Sequence, residues 1–137
     1  MNSTKVTGRT IGEVEKLTGI PKRKLKYFIE QKLLQPSQRS ESGYWLYSDE
    51  DIRKVQLVFL CQSLDCPDCA IRAILADPVR HWPGELERQI ARLLDKRDRI
   101  AVQLARAEAL RRSGGVWEAT ETYFRELSQQ EAALAAK

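Results

Sequence analysis

Three cysteines, Cys61, Cys66 and Cys69, fall within the nine residues CQSLDCPDC, and they are all the cysteines of this 137-residue chain. A C-x-x-C pair can close a disulfide or chelate a soft metal, and Cys61 or His81, the only histidine, would complete a tetrahedral zinc site. If Cys66 caps a helix that begins at Pro67, Cys69 is its third residue, and a helix N-terminus lowers thiol pKa values. Asp65 and Asp68 oppose such a thiolate. Free cysteine is also a small apolar residue that packs in cores. Three roles therefore stay open: packing, which is favoured, metal binding, and thiol redox chemistry. No cofactor is favoured, and zinc or another thiophilic metal is the alternative. The odd cysteine count argues against a secreted disulfide framework.

The remaining inventory excludes more than it offers. With one histidine, no glycine-rich phosphate loop, and no acid and base paired beside a nucleophile, the chain does not read as an enzyme. No apolar run approaches the roughly 18 residues that span a bilayer, and MNSTKVTGRT lacks the apolar core of a signal peptide. The expectation is a cytoplasmic protein with no membrane partner.

Charge is distributed unevenly. Residues 1–60 carry 11 Lys+Arg against 7 Asp+Glu, residues 61–85 carry 2 against 4, residues 86–112 carry 8 against 4, and residues 113–137 carry 2 against 4. A basic N-terminal half suits a polyanion such as nucleic acid.

The elements that would position that charge follow in order. Thr10 and Glu13 have the spacing of a capping box, so a helix should start there, with Ile11, Val14 and Leu17 as its stripe and Gly19 to end it. Pro21 suits the first position of a second helix that buries Leu25, Phe28 and Ile29 and crowds Lys22, Arg23, Lys24 and Lys26 into its first turns. A helix, a short turn and a basic helix form the helix-turn-helix arrangement, whose second helix enters the major groove. Residues 39–47, RSESGYWLY, read as two short strands joined through Ser42 and Gly43, a wing beside that helix. Arg39 is its candidate phosphate contact, and Tyr44 could also reach the DNA backbone. Ser48 then caps a third helix over about 49–64, with Leu57, Val58, Cys61 and Leu64 on one face. A fourth begins near Pro67 and stops before Pro78.

These motifs, IGEV, KLTGI, LKYF, LLQP, ESGYWLYS and DED, stand in one order, and from about Arg9 to Leu75 the chain resembles the N-terminal winged-helix domain of MerR-type bacterial transcription regulators. The resemblance implies a homodimer on a two-fold-symmetric promoter operator of double-stranded DNA, helix 2 in the major groove, and DNA distortion that an effector adjusts for RNA polymerase. Arg23 matches the arginine of the family's recognition helix, Lys26 stands where arginine is usual, and Tyr27 and Phe28 stand where two tyrosines are common. Ile29 replaces an acidic residue, and Trp45 occupies a wing position that is often arginine. Lys22 and Lys24 add charge where the pattern is commonly neutral. The DNA-binding set expected is thus Lys22, Arg23, Lys24, Lys26, Tyr27, Arg39, Ser42, Gly43, Tyr44 and Trp45.

From Glu85 to Arg112 there is no Gly or Pro, and Leu86, Ile90, Leu93, Arg97, Ile100, Leu104 and Ala107 recur at steps of four and three, a heptad seam of about 40 Å. An antiparallel dimer coiled coil is favoured, as the resemblance also implies. The fold class expected is mainly α: a winged helix-turn-helix with a small hairpin over 1–78, a hinge over 79–85, a long dimerisation helix over 86–113, and a short C-terminal helix over 114–137. Any drug-sized pocket is expected between helices of two subunits.

Overall fold

The computed structural model describes residues 8–136. Among these described residues, six helices and one hairpin follow in order: α1 (Ile11–Thr18), α2 (Lys22–Glu30), β1 (Gln38–Arg39), β2 (Trp45–Leu46), α3 (Asp49–Ser63), α4 (Asp68–Ala76), α5 (Pro78–Arg112) and α6 (Val116–Ala135). The chain divides into two units, one ending at Ile90 and the other beginning at Ala91.

Local chemistry accounts for the helix starts. Thr10 Oγ1 accepts from the Glu13 N–H while Glu13 Oε1 accepts from the Thr10 N–H, and Ser48 and Asp51 repeat the arrangement at α3. Each pair satisfies two backbone donors that a helix otherwise leaves unpaired. Gly19 ends α1 with φ 77°, a left-handed conformation open to glycine at no steric cost. Pro21 and Pro67 sit one place earlier than expected, as N-caps with extended ψ of 146° and 156°. A proline φ suits both the cap and the first helical residue, so only ψ separates them. Cys66 consequently precedes the cap of α4, and Cys69 is its second residue.

The ends of α2 and α3 share one design. Each closes in a Schellman motif, where the second residue past the cap returns its N–H to the third-last helical carbonyl. In α2 the Leu33 N–H reaches Phe28 O at 2.9 Å and the Lys32 N–H reaches Ile29 O at 3.0 Å; in α3 the Cys66 N–H reaches Cys61 O and the Asp65 N–H reaches Gln62 O, both at 3.0 Å. The left-handed positions are held by Lys32 (φ 58°) and Asp65 (φ 59°) rather than by glycine.

The core of the first unit is built from Val14, Leu25, Phe28, Leu34, Tyr47, Val55, Val58, Cys61, Ile71 and Ile74, with Ile29, Trp45, Leu57, Leu64 and Trp82 packed at its edge. The hairpin pairs Gln38 with Leu46 and Arg39 with Trp45, and Arg9 adds a short bridge to Tyr47. Its loop closes with the Gly43 N–H on Ser40 O at 2.9 Å and the Ser40 N–H on Tyr44 O at 2.8 Å. Gly43 takes φ 87°, so the connection is a three-residue loop with glycine at its left-handed position.

The segment expected to be a hinge, residues 79–85, is helical. Asp77 Oδ1 accepts from the Arg80 N–H at 3.3 Å, and Pro78 opens α5, where its missing N–H costs nothing. Pro83 lies inside α5, Trp82 packs against the first unit's core, and the unit boundary falls between Ile90 and Ala91. In the second unit, Gly114 (φ 104°) separates α5 from α6. There the Arg106 guanidinium lies 5.1 Å from the Tyr123 ring centre. An open groove of about 710 Å³, lined by residues such as Leu110, Val116 and Tyr123, forms between these helices within one chain. No helix of the described residues is long and apolar enough to cross a membrane.

Candidate nucleic-acid interface

Helix α2 has two faces. Leu25 and Phe28 are fully buried, while Lys22, Arg23, Lys26 and Tyr27 are exposed and Lys24 is half-buried. The nine-residue helix therefore anchors itself by one stripe and presents cations and one phenol along the other. Three cations lie in its first turn and no acidic residue does, so they add to the positive end of the helix dipole, an arrangement that attracts anions and costs intrinsic stability.

Neighbouring elements offset that cost. Pro21 offers no side-chain cap; instead Glu15 of α1 accepts the Lys22 N–H through Oε2 at 2.9 Å. At the other end Arg72 of α4 donates from Nη2 to Gln31 O at 2.8 Å and from Nη1 to Lys32 O at 3.0 Å. Sequence reading missed both residues, because each lies on another helix and only folding brings it to α2. A Glu seven residues before a helix start carries no local signal, and an Arg forty residues away carries less.

On the hairpin, Arg39, Ser42, Gly43 and Tyr44 are exposed and Trp45 is half-buried. The Arg39 guanidinium lies over the Trp45 ring, 3.9 Å from its centre, so the cation is held by a cross-strand aromatic partner. Arg23, Lys24 and Tyr27 share a surface groove with Gln62, Asp65, Cys66 and Asp68. Two carboxylates, Asp65 and Asp68, thus line the same groove as these cations, which the sequence had not shown.

The cysteines resolve differently from a metal site. Cys61 and Cys66 are buried and Cys69 is exposed. Cys61 and Cys66 occupy the two positions of the Schellman motif whose side chains meet, as Phe28 and Leu33 do in α2, which accounts for their spacing. Burial, and then the neighbouring Cys66, push the Cys61 thiol up to about 11; it is protonated at neutral pH, the unreactive form. Among the described residues no three His, Cys, Asp or Glu side chains stand close enough to hold a metal ion. His81 is half-buried on α5, so the set Cys61, Cys66, Cys69 and His81 is not brought together.

The seam residues Ile90, Leu93, Ile100 and Leu104 are 49%, 37%, 51% and 57% exposed in the single chain. Leu86 is half-buried, and Arg97 and Ala107 are exposed.

A two-helix unit with a basic second helix, followed by a hairpin and a capped third helix, defines a winged helix-turn-helix protein. Residues 9–77 match the family described as MerR HTH family regulatory protein, and the chain belongs to that family. It is similar to the HTH-type transcriptional activator TipA of Streptomyces coelicolor, 29% identical over 108 residues, which cover 77% of this chain and 43% of TipA. The chain thus spans less than half the length of that relative. The HTH-type transcriptional regulator CueR of Salmonella typhi is 28% identical over 112 residues, covering 72% of this chain and 79% of CueR. Among solved structures, the N-terminal part of MtaN, the Bacillus subtilis multidrug transporter activator, shares the fold with a TM-score of 0.67 at 24% identity, covering 76% of this chain and 98% of that one. A MerR family regulator from Bacillus cereus does so with a TM-score of 0.67 at 19% identity, covering 89% and 97%.

Proposed function

We propose that this chain binds double-stranded promoter DNA as a homodimer and regulates transcription, with α2 in the major groove and the hairpin against the flanking backbone. The observation that carries this reading is the division of α2 into a fully buried face and an exposed face bearing Lys22, Arg23, Lys26 and Tyr27, beside a hairpin that presents Arg39. Arg23 reads base edges, since its planar fork suits bidentate contact with guanine. Lys22, Lys24 and Lys26 contact phosphates, and Tyr27 packs on the groove wall. Arg39, Ser42, Gly43 and Tyr44 form the backbone contact of the wing, and Trp45 holds Arg39 in place for it.

Dimerisation follows from α5. Isoleucines and leucines about half exposed along one seam leave apolar surface in water, and pairing with a second copy removes it. The pair would set two recognition helices on successive major grooves, as a two-fold operator requires. An effector then acts on this dimer, and RNA polymerase is the partner that reads its effect. Cys61 and Cys66 serve packing in this reading, since they close the end of α3.

Selection of an operator from a random duplex pool, followed by binding titrations in a salt series, tests the reading. Wild-type protein should enrich one palindromic sequence and bind it with steep salt dependence. Arg23→Ala should cost about 1–3 kcal/mol on that operator while native mass spectrometry still shows a dimer. Failure to enrich any sequence, or operator affinity unchanged by the substitution, would overturn it.

A further inference from the structure

We infer that Arg72 is a positioning residue for DNA reading, holding the recognition helix at the angle its base contacts need although it touches no DNA itself. The inference rests on the reading of α2 given above.

Helix α2 closes in its own Schellman motif, but that closure is incomplete. No basic residue lies in its last turn, and its Schellman motif places Lys32 at φ 58°, where a residue other than glycine is strained by contact between its Cβ and backbone. Arg72 supplies what is missing. Its two terminal nitrogens donate separately to Gln31 O and Lys32 O, at 2.8 and 3.0 Å, so one planar group grips two consecutive carbonyls. It also sets a cation at the negative end of the helix dipole. A lysine ammonium carries charge but lacks the rigid fork that meets two acceptors at once.

The consequence is mechanical. Nine residues make a rod about 13 Å long, with the grip at one end and Lys22 and Arg23 at the other. Base readout tolerates errors of about 0.5 Å and 10–20°. A small tilt at Gln31 is thus carried along the rod to the side chains in the groove. Gln89 provides an internal contrast, because it donates from Nε2 to the C-cap carbonyl of α3, Leu64 O, at 2.5 Å, yet α3 presents none of the reading residues.

The test compares Arg72→Met, Arg72→Lys and Gln89→Met in the full chain, on the selected operator and on an unrelated duplex of equal length. Arg72→Met should weaken operator binding by about tenfold, a shift of about 1.4 kcal/mol, with unrelated DNA within about twofold and the salt slope unchanged. Arg72→Lys should fall between, and Gln89→Met should lower the melting temperature while leaving the operator-to-unrelated ratio at the wild-type value. Equal loss on both duplexes, a slope reduced by about 0.9 as for a lost phosphate contact, or no loss would overturn the inference. If Arg72→Met does not fold, Arg72→Lys decides it by the same ratio. Amide hydrogen exchange gives a readout free of DNA: Lys32 and Leu33 should exchange faster in Arg72→Met than in Gln89→Met. Unchanged protection there overturns the grip itself, whereas wild-type protein that selects no operator overturns the reading of α2 alone.

Discussion

The hairpin offers the most quantitative test of the interface. Arg39 and Trp45 face each other across the two strands, with the guanidinium 3.9 Å from the ring centre. Such a stack at a partly exposed site is worth about 0.5–1 kcal/mol. If it holds Arg39 ready for a phosphate, Trp45→Leu, which keeps the apolar contact with the core, should weaken DNA binding about two- to fivefold. The salt slope should stay as it was, since the charge remains. Arg39→Ala removes the charge and should lower the slope by about 0.9. Once Arg39 is gone, Trp45→Leu should have no further effect on affinity. Fluorescence anisotropy of labelled operator with the four proteins of this cycle, across a salt series, measures both quantities. Equal losses from Trp45→Leu in the two backgrounds would show that the ring does not act through Arg39, and an unchanged slope in Arg39→Ala would refute the phosphate contact.

Acid should weaken the cap of α1. The backbone and side-chain hydrogen bonds with Thr10 hold the Glu13 carboxyl below its usual range, so its contribution is fully present above the unfolded value of about 4.5 and is lost as pH falls through the folded value; Glu13→Gln should flatten that part of a stability-against-pH curve measured by urea melts. Thr10→Ala should cost about 1 kcal/mol in the same melts at neutral pH. Ile100→Asp should give a monomer in native mass spectrometry with the helix-turn-helix still folded by NMR, and a dimer of unchanged affinity would remove α5 as the interface. Cys61→Ala should leave operator binding unchanged while destabilising the fold by about 1 kcal/mol, and loss of DNA response without loss of stability would return the cysteines to a signalling role.

The sequence by itself determined the elements with local chemistry. Capping boxes need residues three apart, a left-handed turn favours glycine as at Gly43, and an amphipathic stripe needs only its period, so α1, α2, the hairpin and α3 were all legible. The basic cluster on α2 was legible for the same reason. What only the tertiary structure decided are the meetings of distant residues: Glu15 and Arg72 at the two ends of α2, Gln89 on the end of α3, and Asp65 and Asp68 in the groove lined by Arg23 and Lys24. The cysteines fall on the same divide. A C-x-x-C string suggests ligands because the eye pairs Cys66 with Cys69, whereas the chain pairs Cys61 with Cys66 by closing α3 with a left-handed residue between them. Hydrogen-bond partners for helix ends are supplied by whichever side chain packing brings near, and that depends on the path of the whole chain rather than on any local stretch of it.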